Sequence, residues 1–225
     1  MVDYPSSVEI GASAPENGEM SHWREIVAEP PPLLFVLSGP SGVGKDAVIG
    51  RMKGQNVPVH FAVTMTTRPK RSNEIDGVHY YFVSPEAFAA ARDQGELLEW
   101  ANVHGNLYGT PIAQVRHALQ SGRDVLLKID VQGASQVKRR VPEAVFIFLA
   151  PPSLDDLIRR LSARGTEAES DLQRRIRDAE EEMCHLPEYD YVVVNREGHL
   201  AEAVEQVKAI ITAEKLRLRP RKIQL

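Results

Sequence analysis

Lys45 stands near the end of a glycine-rich run, Gly39, Pro40, Ser41, Gly42, Val43, Gly44, Lys45 and Asp46. The apolar stretch Leu33 to Leu37 leads into it, and an amphipathic stretch from Ala47 follows. A buried strand that ends in such a loop and opens a helix turns backbone N–H groups inward. The helix dipole behind them and an ammonium beside them complete a cradle for a polyphosphate. One residue is out of pattern. The position after the lysine is expected to carry a hydroxyl that ligates Mg2+, and here it is Asp46.

A second set of cations lies elsewhere. Thr64 to Arg71 reads as a polar, basic loop without helical period, carrying Arg68 and Arg71, and the tyrosine pair Tyr80-Tyr81 follows. Arg160 and Arg164 lie four apart, on one helical face, beside the break at Arg164-Gly165-Thr166. Arg175 sits on the next helix, where Arg174 and Arg177, like Arg159 earlier, read as solvated. A phosphate loop plus a second basic, tyrosine-bearing segment suggests two anionic substrates. That arrangement is what phosphoryl transfer needs, since its catalysis is positioning plus charge stabilisation by Lys, Arg and Mg2+. Arginine suits the task because its fork grips phosphate bidentately.

The elements that must position these groups alternate between strand and helix. Strands are expected at Leu33–Leu37, Val57–Val63, Val78–Val83, Leu97–Val103, Val125–Ile129, Val145–Leu149 and Tyr191–Val194. Helices are expected at Asp46–Lys53, from Ser84-Pro85-Glu86 to Gly95, from Thr110-Pro111 to Gly122, and at Ala134–Arg140. Others run from Ser153 to Ala163, Glu169 to His185 and Leu200 to Leu216. Apolar strands alternating with helices mean a parallel sheet covered on both faces. Ligands in such sheets bind at the carboxyl ends of the strands, so the phosphate loop, the Thr64 loop and Asp130 should meet on one edge.

Composition narrows the function classes. The chain has 225 residues, 43% hydrophobic and 26% charged, enough for one sizeable core with small inserted lobes. A net charge of −4 argues against general nucleic-acid binding. No apolar run is long enough to span a bilayer, and the N-terminus lacks a signal-peptide layout. One cysteine, Cys184, precludes an intrachain disulfide, fits a reducing cytoplasm, and reads as a partly buried bystander. Residues before Leu33 are rich in Ser, Gly, Glu and Pro and read as a tail.

Several spaced segments resemble the guanylate kinases, which transfer the γ-phosphate of ATP to GMP. The matching segments are Thr66-Thr67-Arg68 with Arg71, Glu74, Asp76-Gly77 and Tyr80-Tyr81-Phe82; Glu99-Trp100-Ala101; and Gly105-Asn106 with Tyr108-Gly109-Thr110. Further along, Ile129-Asp130 with Gln132-Gly133, Ala150-Pro151-Pro152, Arg164-Gly165-Thr166-Glu167, Arg175 and Val194-Asn195 match as well. The resemblance implies an α/β P-loop kinase fold, a parallel sheet flanked by helices with an inserted nucleoside-monophosphate-binding lobe and a lid. The implied division is a tail over 1–32, a domain over 33–217 and a C-terminal tail over 218–225. Within the domain the core takes 33–63, 116–161 and 183–217, the GMP-binding lobe 64–115 and the lid 162–182.

The resemblance also implies roles. Arg68, Arg71, Tyr80 and Tyr108 would hold the GMP phosphate. Glu99, assisted by Thr64 and Thr110, would accept from guanine N1–H and the 2-amino group, and Asp130 would join this site. Adenine lacks both donors and would leave a buried carboxylate unpaired. Lys45, Arg71, Arg164 and Arg175 would be catalytic, with Arg160 a weaker companion, and Asn195 would lie beside the adenine of ATP. Mg2+ would enter with ATP, with Asp46 as a ligand, directly or through water. The implied enzyme is a monomer or homodimer.

Two residues depart from the family pattern. Asp46 replaces the hydroxyl, and Lys128 stands where an acid is usual. The usual pair sums to one negative charge and this pair to zero, which suggests that the two replacements compensate. Two alternatives share the fold. Ribose 1,5-bisphosphate phosphokinases have Gly-Lys-Asp at the loop, and the guanylate-kinase-like domains of scaffold proteins bind phosphopeptides without turnover.

Overall fold

Alternate residues of the first strand, β1 (Leu34–Ser38), enter two different cores. Leu33, Phe35 and Leu37 face one side of the sheet, Leu34 and Val36 the other. A strand buried on both faces needs an unbroken apolar run, and that is what the sequence supplies. In the computed structural model β1 is the middle of a five-stranded parallel sheet. Its other strands are β2 (His60–Phe61), β7 (Val125–Lys128), β8 (Val145–Ala150) and β9 (Tyr191–Val194), in the order β2-β7-β1-β8-β9. The structure describes residues 29–103, 105–162 and 169–225. The expected tail before residue 29, and Arg164 with its Arg-Gly-Thr break, lie outside the described residues. Residues 31–225 form one compact unit.

Helices cover both faces. On one side α1 (Lys45–Gly54), α5 (Leu154–Ser162), α6 (Glu169–Met183) and α7 (Leu200–Lys215) pack on Phe35, Ile147 and Leu149. On the other, α3 (Ile112–Gln120) and α4 (Val131–Arg140) pack on Val36, Leu127 and Phe146. Ser153 caps α5 as expected, its Oγ accepting from Asp156 N–H at 3.1 Å. None of the described helices is long and apolar enough to cross a membrane.

A second, four-stranded sheet lies between β2 and α3 in the chain. It runs β4-β3-β6-β5, from β3 (Thr64–Thr66), β4 (Tyr80–Phe82), β5 (Leu97–Val103) and β6 (Asn106–Pro111). Only β3 and β4 are parallel; the pairs with β6 are antiparallel. Helix α2 (Pro85–Asp93), capped by the Ser84 hydroxyl, closes a small core of Phe88, Ala91 and Leu97 beneath it.

Four expectations change here. Thr64–Thr66 is not loop but strand, paired on both sides, and Asn106–Pro111 is a strand that the sequence pattern does not announce. Thr110 does not cap α3; its hydroxyl is used by Glu99. Cys184 is exposed.

The chain beyond α7 is tied down by one buried acid. Glu214, only 1% exposed, accepts from the Tyr191 hydroxyl at 2.6 Å and from Arg221 Nε at 3.0 Å. Burial alone would raise its pKa, but Tyr191 and Arg221 outweigh that and hold it low. Arg221 also donates to the Ala144 carbonyl at 3.1 Å, and Ile223 packs on both cores. Replacing Arg221 with Ala is expected to cost about 2 kcal/mol of stability, because a buried carboxylate loses a charged partner. Urea unfolding would measure it.

Candidate functional site

The carboxyl edge of the parallel sheet opens into a cleft of about 860 Å³ walled by both sheets, α1 and α6. The phosphate loop forms one wall. Gly39 and Gly44 have φ of 137° and 103°, conformations in which a side chain is strained. At Gly39 a Cβ would also run into the Leu149 carbonyl, and at Gly44 into the Asn195 amide. The loop can therefore coil tightly between β1 and α1 only with glycine at these places. Lys45 follows as the first residue of α1, and its Nζ donates to the carbonyls of Gly39 at 2.5 Å and Pro40 at 3.1 Å. Burial lowers its pKa, an effect opposed by Glu182, Asp130 and Asp46. Ser41, Gly42, Gly44 and Asp46 line the cleft, while Pro40 and Val43 supply loop backbone behind it.

The opposite wall comes from the mixed sheet. Glu99 on β5 is 3% exposed and accepts from the Thr110 hydroxyl of β6 at 2.6 Å. Burial pushes its carboxyl up to about 8, further raised by the Asp130 charge and opposed by Thr110. Gly133 of α4 packs against this carboxylate so closely that a Cβ would overlap it. Thr64 is buried at the same wall. Asp130 caps α4, its Oδ1 accepting from Gly133 N–H at 2.7 Å. Its pKa is raised by burial, with the Gly133 N–H and Lys45 pulling it down.

Between these walls lies a basic and aromatic band. Arg68, Arg71, Tyr80 and Tyr108 all line the cleft. Arg68 is held by Glu74 at 2.7 Å and stacks over Tyr80 at 5.5 Å. Tyr80 and Tyr108 meet edge-on with ring centroids 6.0 Å apart. Arg71 is anchored through its backbone N–H to Glu74 at 2.8 Å. Lys128 bonds Asp46 and the Tyr80 hydroxyl, the latter at 3.0 Å, so the inferred pairing of the two departures is formed.

The remaining expected residues sit as follows. Arg175 is buried in the cleft wall on α6. Arg160 does not reach the cleft; it donates to the carbonyls of Val43 and Asn195. Asn195 is buried, and its amide donates to the Val43 carbonyl at 2.8 Å, so it braces the phosphate loop from behind. Two residues were missed. Arg174, read as solvated, lines the cleft although exposed. Glu182 of α6 also lines it and accepts from Ser41 N–H at 2.9 Å, placing a carboxylate against the phosphate loop. Glu182 stands among Glu180 and Glu181, so no composition signal separates it from its neighbours.

A phosphate loop at the head of a parallel sheet, with an inserted sheet facing it across a cationic cleft, defines a P-loop kinase. The model of the guanylate kinase family matches residues 32–214. The chain belongs to that family. It is 50% identical over 187 residues to the guanylate kinase of Desulfitobacterium hafniense, covering 83% of this chain and 92% of that protein. Guanylate kinase 2, chloroplastic/mitochondrial, of Oryza sativa is 45% identical over 203 residues, 89% of this chain and 71% of that protein. The crystal structure of guanylate kinase from Anaplasma phagocytophilum matches with a TM-score of 0.68 at 32% identity, covering 85% of this chain and 90% of that one.

Proposed function

We infer that this protein is an ATP:GMP phosphotransferase that converts ATP and GMP to ADP and GDP. The observation that carries this reading is Glu99, a buried carboxylate facing the phosphate loop across one cleft. Guanine's N1–H and 2-amino group offer two donors in line, and an ionised carboxylate accepts both. Thr110 takes one lone pair of one Glu99 oxygen, and both oxygens keep a lone pair for the base. Arg68, Arg71, Tyr80 and Tyr108 form the band that would hold the GMP phosphate. The phosphate loop and Lys45 would take the phosphates of ATP, with the Lys45 ammonium turning from the Gly39 and Pro40 carbonyls to oxygen anions. Arg175, buried in the cleft wall, would neutralise charge on the transferring phosphoryl group, and Arg164 would join it from the lid. Closure of the lobe of 64–115 and the lid of 162–182 would exclude water, which would otherwise accept the phosphoryl group.

Mg2+ entering with ATP would supply charge neutralisation to its phosphates. The donor set suits it modestly. Asp46 and Asp130 are hard oxygen donors on the cleft, and no group of three or more His, Cys, Asp or Glu side chains among the described residues forms a metal cage. Asp46 would contribute while Lys128 limits repulsion from the β-phosphate. Replacing Asp46 with Ser is then expected to raise the half-saturating Mg2+ concentration about tenfold, because Lys128 loses its counter-charge beside the ion. An Mg2+ titration of initial rates at fixed ATP would show it, and an unchanged midpoint would remove Asp46 from the metal's surroundings.

ADP release with ATP and GMP, compared with AMP, dGMP, ribose 1,5-bisphosphate and water, tests the activity. Relatives near 50% identity do not favour the ribose bisphosphate or phosphopeptide alternatives. Turnover with GMP well above AMP is the expected outcome, and comparable turnover with ribose 1,5-bisphosphate would reverse the assignment.

A further inference from the structure

Beyond limiting repulsion at the β-phosphate of ATP, Lys128 has no part in the reaction outlined above, and none in holding GMP. It ends β7 at the carboxyl edge of the sheet, next to Leu37 of β1 in register. Its ammonium has two polar partners on different parts of the protein. One is the carboxylate of Asp46, in the first turn of α1 behind the phosphate loop. The other is the Tyr80 hydroxyl on β4, and the ammonium also lies 4.8 Å from the centre of that ring.

We propose that Lys128 is a positioning residue for the acceptor phosphate, acting through the Tyr80 hydroxyl, and that Asp46 holds part of its charge in reserve until that phosphate arrives. The inference rests on the reading of Tyr80 as a ligand of the GMP phosphate. A phenol that accepts an ammonium N–H keeps its own proton to donate, and the polarised O–H is the stronger donor. Tyr80 cannot easily turn away, since Arg68 stacks on its face and Tyr108 meets its edge. Its donor direction is therefore set by Lys128. The ammonium is thus shared between a carboxylate on one side and a phenol on the other. The Asp46 side chain is 83% exposed, so its hold on Lys128 is screened by water and readily loosened.

The test is calorimetric titration of the whole chain with GMP and with guanosine, without ATP or metal. Guanosine has the base but no phosphate. Lys128→Met is expected to weaken GMP binding about tenfold, the loss of one charge-assisted contact, while guanosine stays within about twofold. Asp46→Ser is expected to tighten GMP severalfold, and the tightening should vanish in the double variant. Equal losses for GMP and guanosine would mean a loosened cleft and would overturn the proposal. Unchanged GMP binding in Lys128→Met would do the same, as would an Asp46→Ser gain that survives removal of Lys128. If Asp46→Ser gives no gain, Asp46 holds nothing in reserve and the proposal fails as stated. A wild-type protein that binds no GMP at all would instead defeat the guanylate kinase reading on which this rests.

Discussion

Replacing Lys45 with Met is expected to lower kcat for GMP phosphorylation by about a thousandfold or more while leaving the melting temperature within a few degrees. The two halves have different causes. In the transition state the ammonium faces charge spread over the transferring phosphoryl group, in a site shielded from water, where such contacts are worth most. Removing one preorganised donor of this kind costs about a hundred- to a thousandfold, and a full positive charge exceeds a neutral donor. In the folded protein the same ammonium is a burden, because burial lowers its pKa and two backbone carbonyls are its hydrogen-bond partners. A methionine of similar length fills the space and removes the desolvation penalty. Initial rates and a thermal melt of one preparation check both halves. A collapse of the melting temperature would make Lys45 a structural staple of the loop and would void the kinetic comparison.

The difference between what the chain shows by itself and what folding adds is physical. Runs such as Leu33–Leu37 and Val145–Leu149 declare themselves because both faces are buried, so every residue is apolar. The mixed sheet does not, because its core is only Phe88, Ala91 and Leu97 with a few partly buried neighbours. The alternation of β3 and β6 is correspondingly faint; β3 is held by β4 and β6, both well beyond it in sequence, and β6 by its hairpin partner β5 and by β3. The expected strand over Val57–Val63 shrinks to His60–Phe61 for a related reason: β2 is an edge strand paired only with β7. At the site, charge arithmetic was enough to link Asp46 and Lys128, 82 residues apart, since neighbouring parallel strands deliver their carboxyl ends together. Glu182 and Arg174 could not be singled out, because a helix of alternating charges names its cleft-facing residues only once it is docked.

Glu99 is expected to make the reaction with GMP rise with pH. Its carboxyl is raised to about 8 by burial, the Asp130 charge adding to the shift and Thr110 opposing it. Guanine needs the ionised form, since a protonated carboxyl offers one acceptor where two donors arrive. With the donor arginines charged throughout, kcat/KM for GMP should climb between about pH 6 and pH 8 and then level. Glu99→Gln should flatten that limb and lower kcat/KM about a hundredfold or more, because the amide presents an N–H to a guanine donor. Its discrimination between GMP and AMP should shrink by a similar factor. Stability carries the opposite sign. The folded-state pKa lies above the ordinary carboxylate value of 4.5, so the unfolded chain loses this proton first. Folding stability from Glu99 is therefore complete below about pH 4.5 and drains away as pH rises toward 8, by an amount of order a few kcal/mol. Glu99→Gln, which keeps an oxygen for the Thr110 hydroxyl, should remove that slope and be the more stable protein at pH 8 without ligand. Urea unfolding of both proteins at pH 6 and pH 8 checks this directly. A wild-type protein no less stable than the variant at pH 8 would mean that Glu99 ionises well below that pH, and the rising limb of the rate would then need another group.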